Sequence, residues 1–332
     1  MIGSFPHHDP VPLCTRLLET LDIPAWPQLP RRSFLENMYV QYSARLPGIQ
    51  LDMTNEKVFF DTRHDLAAAL ESFYEHVLAD DLDYFALPED RAAGFYAFIK
   101  QAAEQRLPAV KGHITGPFSL GLTVTDQDLR ASLYHPELAD TIVQNAAFGA
   151  RWQVRALKQV AEEVLIFVDE PYMASFGSAY INLSQAEVAA MLAEVFAAIH
   201  QAGGQAGVHC CGNTDWPVLL NTQVDVLNLD ALSYLEGLTL YPHALNAFLE
   251  RGGRVAWGMV PNNDMIFNIN ADQLNDKLAA GFNLVSDRAA NQQVSISPAA
   301  LRRGGLLTPA CGLGSADEAT AEAVLDLLGQ MN

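Results

Sequence analysis

Apolar residues recur at helical spacing most clearly between residues 184 and 201, where Val188, Met191, Leu192, Val195, Phe196 and Ile199 form one stripe at i, i+3, i+4, i+7, i+8 and i+11. That stripe predicts a helix with one face on a sheet. Further helices are expected at about residues 8–21, 63–80, 90–106, 136–163, 216–221, 241–251, 271–285 and 315–328. Between them lie short β-rich runs at about 1–5, 109–115, 164–169, 206–211, 224–229, 254–259 and 305–308. Seven strands are visible, and an eighth is not. Alternation of short strands with longer helices predicts a parallel sheet wrapped by helices.

Polar or reactive clusters follow these strands directly: GSFPHH, GPFS, DEPYM, CCGNTDW, DALS, VPNND and TPACG. Loops at the C-terminal ends of barrel strands converge on one axis, so clusters in the same relative place point to one shared pocket. The expected fold is therefore an α/β (β/α)8 TIM barrel with an irregular N-terminal insertion. No Pro/Gly/Ser-rich linker, low-complexity stretch or solenoid repeat divides the chain, which reads as one domain over residues 1–332. Residues 22–62, marked by Pro24, Pro27 and Pro30 and carrying RRSFLENMYVQY, are the expected insertion.

Composition narrows the partners. Half of the residues are hydrophobic and 18% are charged, which supplies a large core and gives no case for disorder. The net charge of −19 repels phosphate backbones and anionic headgroups, so neither nucleic acid nor a membrane surface is an expected partner. No apolar run approaches the roughly 18 residues of a membrane span, and MIGSFPHHDP lacks the basic and apolar regions of a signal peptide. A cytoplasmic location is expected. Four cysteines, Cys14, Cys210, Cys211 and Cys311, are too scattered for a disulfide framework. Core packing, metal binding and nucleophilic chemistry remain as their uses.

The sharpest constellation is His209-Cys210-Cys211-Gly212-Asn213-Thr214 together with Cys311 in TPACG. Side chains alternate along a strand, so His209 and Cys211 share one face while Cys210 points to the other. With Cys311 arriving from another strand end, one imidazole and two thiolates make three protein ligands and leave a position open, the composition of a catalytic zinc site. Asp230, ending VDVLNLD, is a fourth candidate ligand. Core packing is the alternative use of each cysteine. Asp169-Glu170-Pro171 would bring two carboxylates to the barrel mouth to bind an ammonium or relay a proton, and equally reads as a helix cap. His7 and His8 are candidate substrate contacts, yet HHDP also reads as a helix start capped by Asp9. Gly116-Pro117-Phe118-Ser119 and Gly252-Gly253 lack the spacing of phosphate-binding loops.

Taken together and in order, Ile2-Gly3-Ser4-Phe5-Pro6, Val168-Asp169-Glu170-Pro171, His209-x-Cys211, VDVLNLD and Pro309-Ala310-Cys311-Gly312-Leu313 resemble the catalytic, C-terminal barrel of cobalamin-independent methionine synthase. The HCCGNT wording is closer to the related methyltransferases of the uroporphyrinogen decarboxylase-like group. The resemblance covers most of the chain and is to the short, core-only forms. It implies a barrel holding Zn²⁺ on His209, Cys211 and Cys311, with a thiol substrate on the metal. Asp230 stands where the family has a glutamate ligand, an arm shorter by one methylene. The resemblance also implies substrate contacts at Gly3 and Ser4. Glu36, in Leu35-Glu36-Asn37-Met38, is an approximate counterpart, offset by a residue or two, of the acidic segment that meets the amino acid's amine.

The expected activity is a zinc-dependent transfer of a methyl group to or from a zinc-activated thiol, homocysteine or another, with a methylated corrinoid or corrinoid protein as the expected donor. Two alternatives stay open. One is a metal-free lyase of the uroporphyrinogen decarboxylase type, for which Arg31, Arg32, Arg302 and Arg303 are the basic candidates. The other is an accessory protein that holds a corrinoid or metal without turnover.

Overall fold

The computed structural model describes residues 1–331. Six strands, β3 (Leu107–Thr115), β4 (Ala161–Asp169), β5 (Gln205–Cys210), β6 (Val226–Asp230), β7 (Arg254–Val260) and β8 (Leu306–Pro309), form one parallel sheet in chain order. Helices connect each strand to the next, as parallel pairing requires a crossover. Such strands are covered on both faces and read as nearly continuous apolar runs. Val164, Leu165, Ile166, Phe167 and Val168 in β4 are all buried. On one face, Leu165, Phe167, Val226 and Ala256 form an apolar cluster against Leu306. Gly207 lies under Phe167, where a Cβ would come within 2.2 Å of the ring.

Residues 1–5 do not become a regular strand. They run beside residues 24–28 through an isolated parallel bridge between Ser4 and Gln28, and Ala25 makes the same contact with Lys111 at the edge of β3. Backbone bonds Phe5 N to Gln28 O, 2.8 Å, and Trp26 N to Lys111 O, 3.3 Å, hold the two segments to the sheet. From the other edge, Leu313 N reaches Ser4 O at 2.9 Å. Residues 24–28, placed by the sequence within the insertion, thus lie along the sheet. The rest of the insertion holds a short helix (Met38–Gln41) and an antiparallel hairpin of β1 (Ile49–Asp52) and β2 (Lys57–Phe60), which the pattern did not signal because each strand has only four residues.

The helix expected at 184–201 spans Gln185–Gln201, capped by Ser184 with Glu187 completing a capping box. The helix expected over 136–163 ends at Leu157, and Ala161 already begins β4. Two helices the pattern missed, Pro117–Thr123 and Ala231–Leu238, start within two residues of a strand end. No helix of the described residues is long and apolar enough to cross a membrane.

Candidate metal centre

Sheet register assembles the site. Thr115, Asp169 and His209 lie side by side on β3, β4 and β5, and His209 is paired with Asn228 on β6. Cys211 leaves the end of β5, and Cys311 follows β8 by two residues. His209, Cys211 and Cys311 offer ligand atoms that all lie within 4.8 Å of one another, and His209 Nε2 is 3.6 Å from Cys311 Sγ. These three could hold a metal ion. Cys210 points the other way, fully buried, its thiol directed to Gly212 O at 3.3 Å, and burial pushes it up to about 12.

The electrostatics of the cluster follow from its geometry. The Cys311 thiol and the His209 ring both hydrogen-bond to Cys211 sulfur and lower the Cys211 thiol, which favours its thiolate form. Cys311 moves upward because its proton is held by that thiolate and because it is buried. Burial works against a charged His209, yet the hydrogen bond to Cys211 and the charges of Asp169 and Cys211 outweigh it and raise the imidazole.

A cavity of about 410 Å³ opens over the cluster. Asp169 lines it, with Oδ1 buried and without a hydrogen-bond partner. Burial raises its carboxyl to about 6, against the attraction of Lys111 and His209. Lys111 is itself lowered to about 8 by burial; its ammonium donates to Ile2 O and lies 4.3 Å from the Phe167 ring centroid.

Glu170, one residue on, points away from the cavity. Its Oε1 accepts from Phe118 N at 3.1 Å and its Oε2 from Ser119 N at 2.7 Å and Ser119 Oγ at 2.5 Å, so it caps the helix Pro117–Thr123. The side chain is fully buried and is raised to about 7 by that burial. Ser119 Oγ in turn accepts from Tyr172 N at 2.9 Å, fixing the turn after Asp169.

The other sequence-predicted residues divide. Ser4 lines the cavity, and its Oγ accepts from Gly314 N at 3.2 Å. Gly3, at φ 155°, leaves room for His113, whose Nδ1 would lie 2.6 Å from a Cβ there. His7 pairs instead with Glu322 at 3.1 Å. Glu36 is fully buried, accepting from Arg32 at 2.7 Å and Leu29 N at 3.3 Å, while its neighbours Asn37 and Met38 line the cavity. Asp230 stands outside the cluster and caps the helix Ala231–Leu238 through Ser233 N at 3.0 Å.

Sequence reasoning missed Asn228, the fully buried partner of His209, with Nδ1 to Oδ1 at 2.5 Å. A polar residue amid the apolar VLNL of β6 was the available signal. It also missed Tyr39, which burial raises and which lies near Glu170, Cys211 and Tyr172. No family model matches the chain, and no curated protein matches it.

Proposed function

We propose that this protein is a zinc-dependent methyltransferase acting on a thiol, built on a (β/α)8 barrel in which residues 2–5 and 24–28 serve as the first two staves. The reading follows the resemblance to the catalytic barrel of cobalamin-independent methionine synthase. The observation that carries it is the convergence of His209, Cys211 and Cys311 under an open cavity. The donors fit zinc in kind, and one pair fits it in spacing. Tetrahedral bonds of about 2.05 Å to nitrogen and 2.3 Å to sulfur separate the two donors by roughly 3.5 Å, and His209 Nε2 and Cys311 Sγ stand 3.6 Å apart. No further His, Cys, Asp or Glu among the described residues joins the group, so substrate has a place in the coordination shell.

Zinc, when bound, lowers the pKa of a substrate thiol from about 8.5 while leaving its sulfur nucleophilic. The chain's own residues hold and orient. Cys211, whose thiol is lowered by its neighbours, is the readiest ligand, and His209 would ligate through Nε2, giving up any proton held there. Asp169 lines the cavity and has a carboxylate oxygen, Oδ1, that is buried without a hydrogen-bond partner; its carboxylate accepts hydrogen bonds from a substrate ammonium, which selects an aminothiol such as homocysteine. Glu170 fixes the helix and turn on which Asp169 rests. The substrate sulfur takes the methyl carbon as that carbon's bond to the donor breaks, the bonding pair leaving with the donor. A methylated corrinoid is the proposed donor.

A lyase acting on a tetrapyrrole needs cations for the substrate's carboxylates, and neither lysine nor arginine lines this cavity. Arg31 is spent on Gly314 O and Ser315 O, and Arg32 on Glu36. The test is demethylation of methylcobalamin by zinc-loaded and metal-stripped protein with thiols that carry or lack an amino group. Transfer confined to the loaded protein and favouring aminothiols is expected. Binding of the corrinoid without transfer to any thiol would leave the accessory role, and porphyrinogen decarboxylation by the stripped protein would establish the lyase.

A further inference from the structure

We infer that Asn228 is a positioning residue that fixes a proton on His209 Nδ1 and so presents Nε2, as a free lone pair, to the metal shared with Cys211 and Cys311. The inference rests on the zinc reading for its purpose, and on hydrogen-bond chemistry alone for its substance.

The amide of Asn228 has one orientation that satisfies its surroundings. One end lies 2.7 Å from Ala256 O and 2.8 Å from Thr308 Oγ1. A backbone carbonyl only accepts, so this end is the NH₂. Thr308 agrees: its hydroxyl donates to Pro309 O at 3.0 Å and is left to accept from Asn228. The opposite end is therefore the carbonyl oxygen, and it sits 2.5 Å from His209 Nδ1. An oxygen that can only accept requires Nδ1 to carry the proton. Nε2 is then the atom left for a metal, and it is the nitrogen that faces Cys311.

Position in the sheet makes this arrangement rigid. Asn228 is the register partner of His209 on one side and of Ala256 on the other, so its amide bridges β5, β6 and β7 and reaches β8 through Thr308. The same residue thus ties the strand that carries His209 to the one that leads to Cys311. Asn228, His209 and Thr308 are all buried, with no water needed to complete the chain of bonds. A hydrogen-bonded partner on the far nitrogen orients a ligating histidine and sets its tautomer, and losing such a partner costs on the order of 10- to 100-fold in metal affinity.

Two measurements test it. In metal-free, ¹⁵N-histidine-labelled protein, long-range N–H couplings should show Nδ1 of His209 protonated and slow to exchange, whether or not Nε2 also carries a proton. Zinc affinity, by competition with a chelator, should fall on the order of 10- to 100-fold in Asn228→Ala and remain within a few-fold of wild type in Asn228→Asp, which keeps the acceptor. An unprotonated Nδ1 in the wild-type protein overturns the inference, as does an Asn228→Ala protein that folds and binds zinc as tightly as wild type. Should the wild-type protein bind no zinc, the zinc reading falls, and the Nδ1 proton alone decides this inference. Should Asn228→Ala fail to fold, the wild-type spectrum and the affinity of Asn228→Asp decide it.

Discussion

Glu170 makes folding stability depend on pH in a direction opposite to that of an ordinary paired carboxylate. Burial raises it from 4.5 to about 7, against the hydrogen bonds from Ser119 and Phe118. The folded protein therefore holds the proton more tightly than the unfolded chain. Its contribution is fully present below pH 4.5 and is lost as pH rises through about 7. At roughly 1.4 kcal/mol per pH unit, the loss is about 3 kcal/mol, and because the side chain is fully buried no solvent screening reduces it. Both protonation states find partners, since Ser119 Oγ can donate to the carboxylate or accept from the acid at 2.5 Å.

Glu170→Gln removes the titration and keeps the shape. Its NH₂ would face a donor, Phe118 N in the least costly orientation, so the variant should be less stable than wild type in acid by about 1–3 kcal/mol. That gap should close or reverse by pH 8. Urea unfolding of both proteins at pH 5, 6, 7 and 8, with the midpoint and slope read at each pH, gives the comparison. Subtracting one series from the other cancels the carboxylates remote from Glu170, leaving Glu170 and its coupling to Asp169. A difference that stays constant over this range, or widens with pH, would refute the reasoning.

Three further outcomes are expected. Cys210→Ala should keep metal and activity at a stability cost of roughly 1 kcal/mol or less, whereas Cys211→Ala should stay folded and lose the metal; metal analysis and thermal unfolding distinguish them, and the reverse pattern would mean that β5 is out of phase by one residue. Asp169→Asn should raise KM for aminothiols on the order of 10- to 100-fold, about 1.5–3 kcal/mol for a hydrogen bond to a charged group, with little change for thiols that lack the amine; an equal effect on both classes in steady-state kinetics would argue against an ammonium contact. Gly3→Ala should lower stability by about 2 kcal/mol or more, because its Cβ meets His113 and its φ of 155° is strained for any other residue; an unchanged melting temperature would contradict that.

The parts of this fold readable in the sequence are those governed by period. The helical stripe at 188–199 and the alternation that separates Cys210 from His209 and Cys211 depend only on which face a residue takes, and the structure keeps both. Parallel strands buried on both faces were readable as apolar runs for the same reason. What failed depends on contacts between segments far apart in the chain. Residues 1–5 looked like a strand, but their backbone bonds are shared among residues 24–28 and the segment after β8, giving a bridge in place of a ladder. Asp230 has the right chemistry for a ligand and the right strand. As the last residue of β6 it is also the first cap of a helix that starts at once, and Ser233 N takes its carboxylate. Asp169 and Glu170 are adjacent and chemically alike, yet one faces the cavity and the other the helix Pro117–Thr123, a division set by strand alternation continuing into the turn. Asn228 escaped notice because its significance lies in three partners, at positions 209, 256 and 308, that no local pattern connects.

The central claim is that His209, Cys211 and Cys311 are metal ligands, and zinc content measured on protein purified without a polyhistidine tag tests it most directly. The wild-type protein should carry about one zinc per chain, and Cys211→Ser and Cys311→Ser, each still folded by circular dichroism, should lose it, since sites with thiolate ligands bind zinc tightly. Less than about half an equivalent in the wild-type protein after growth in zinc-replete medium, with no further loss in either variant, would contradict the claim.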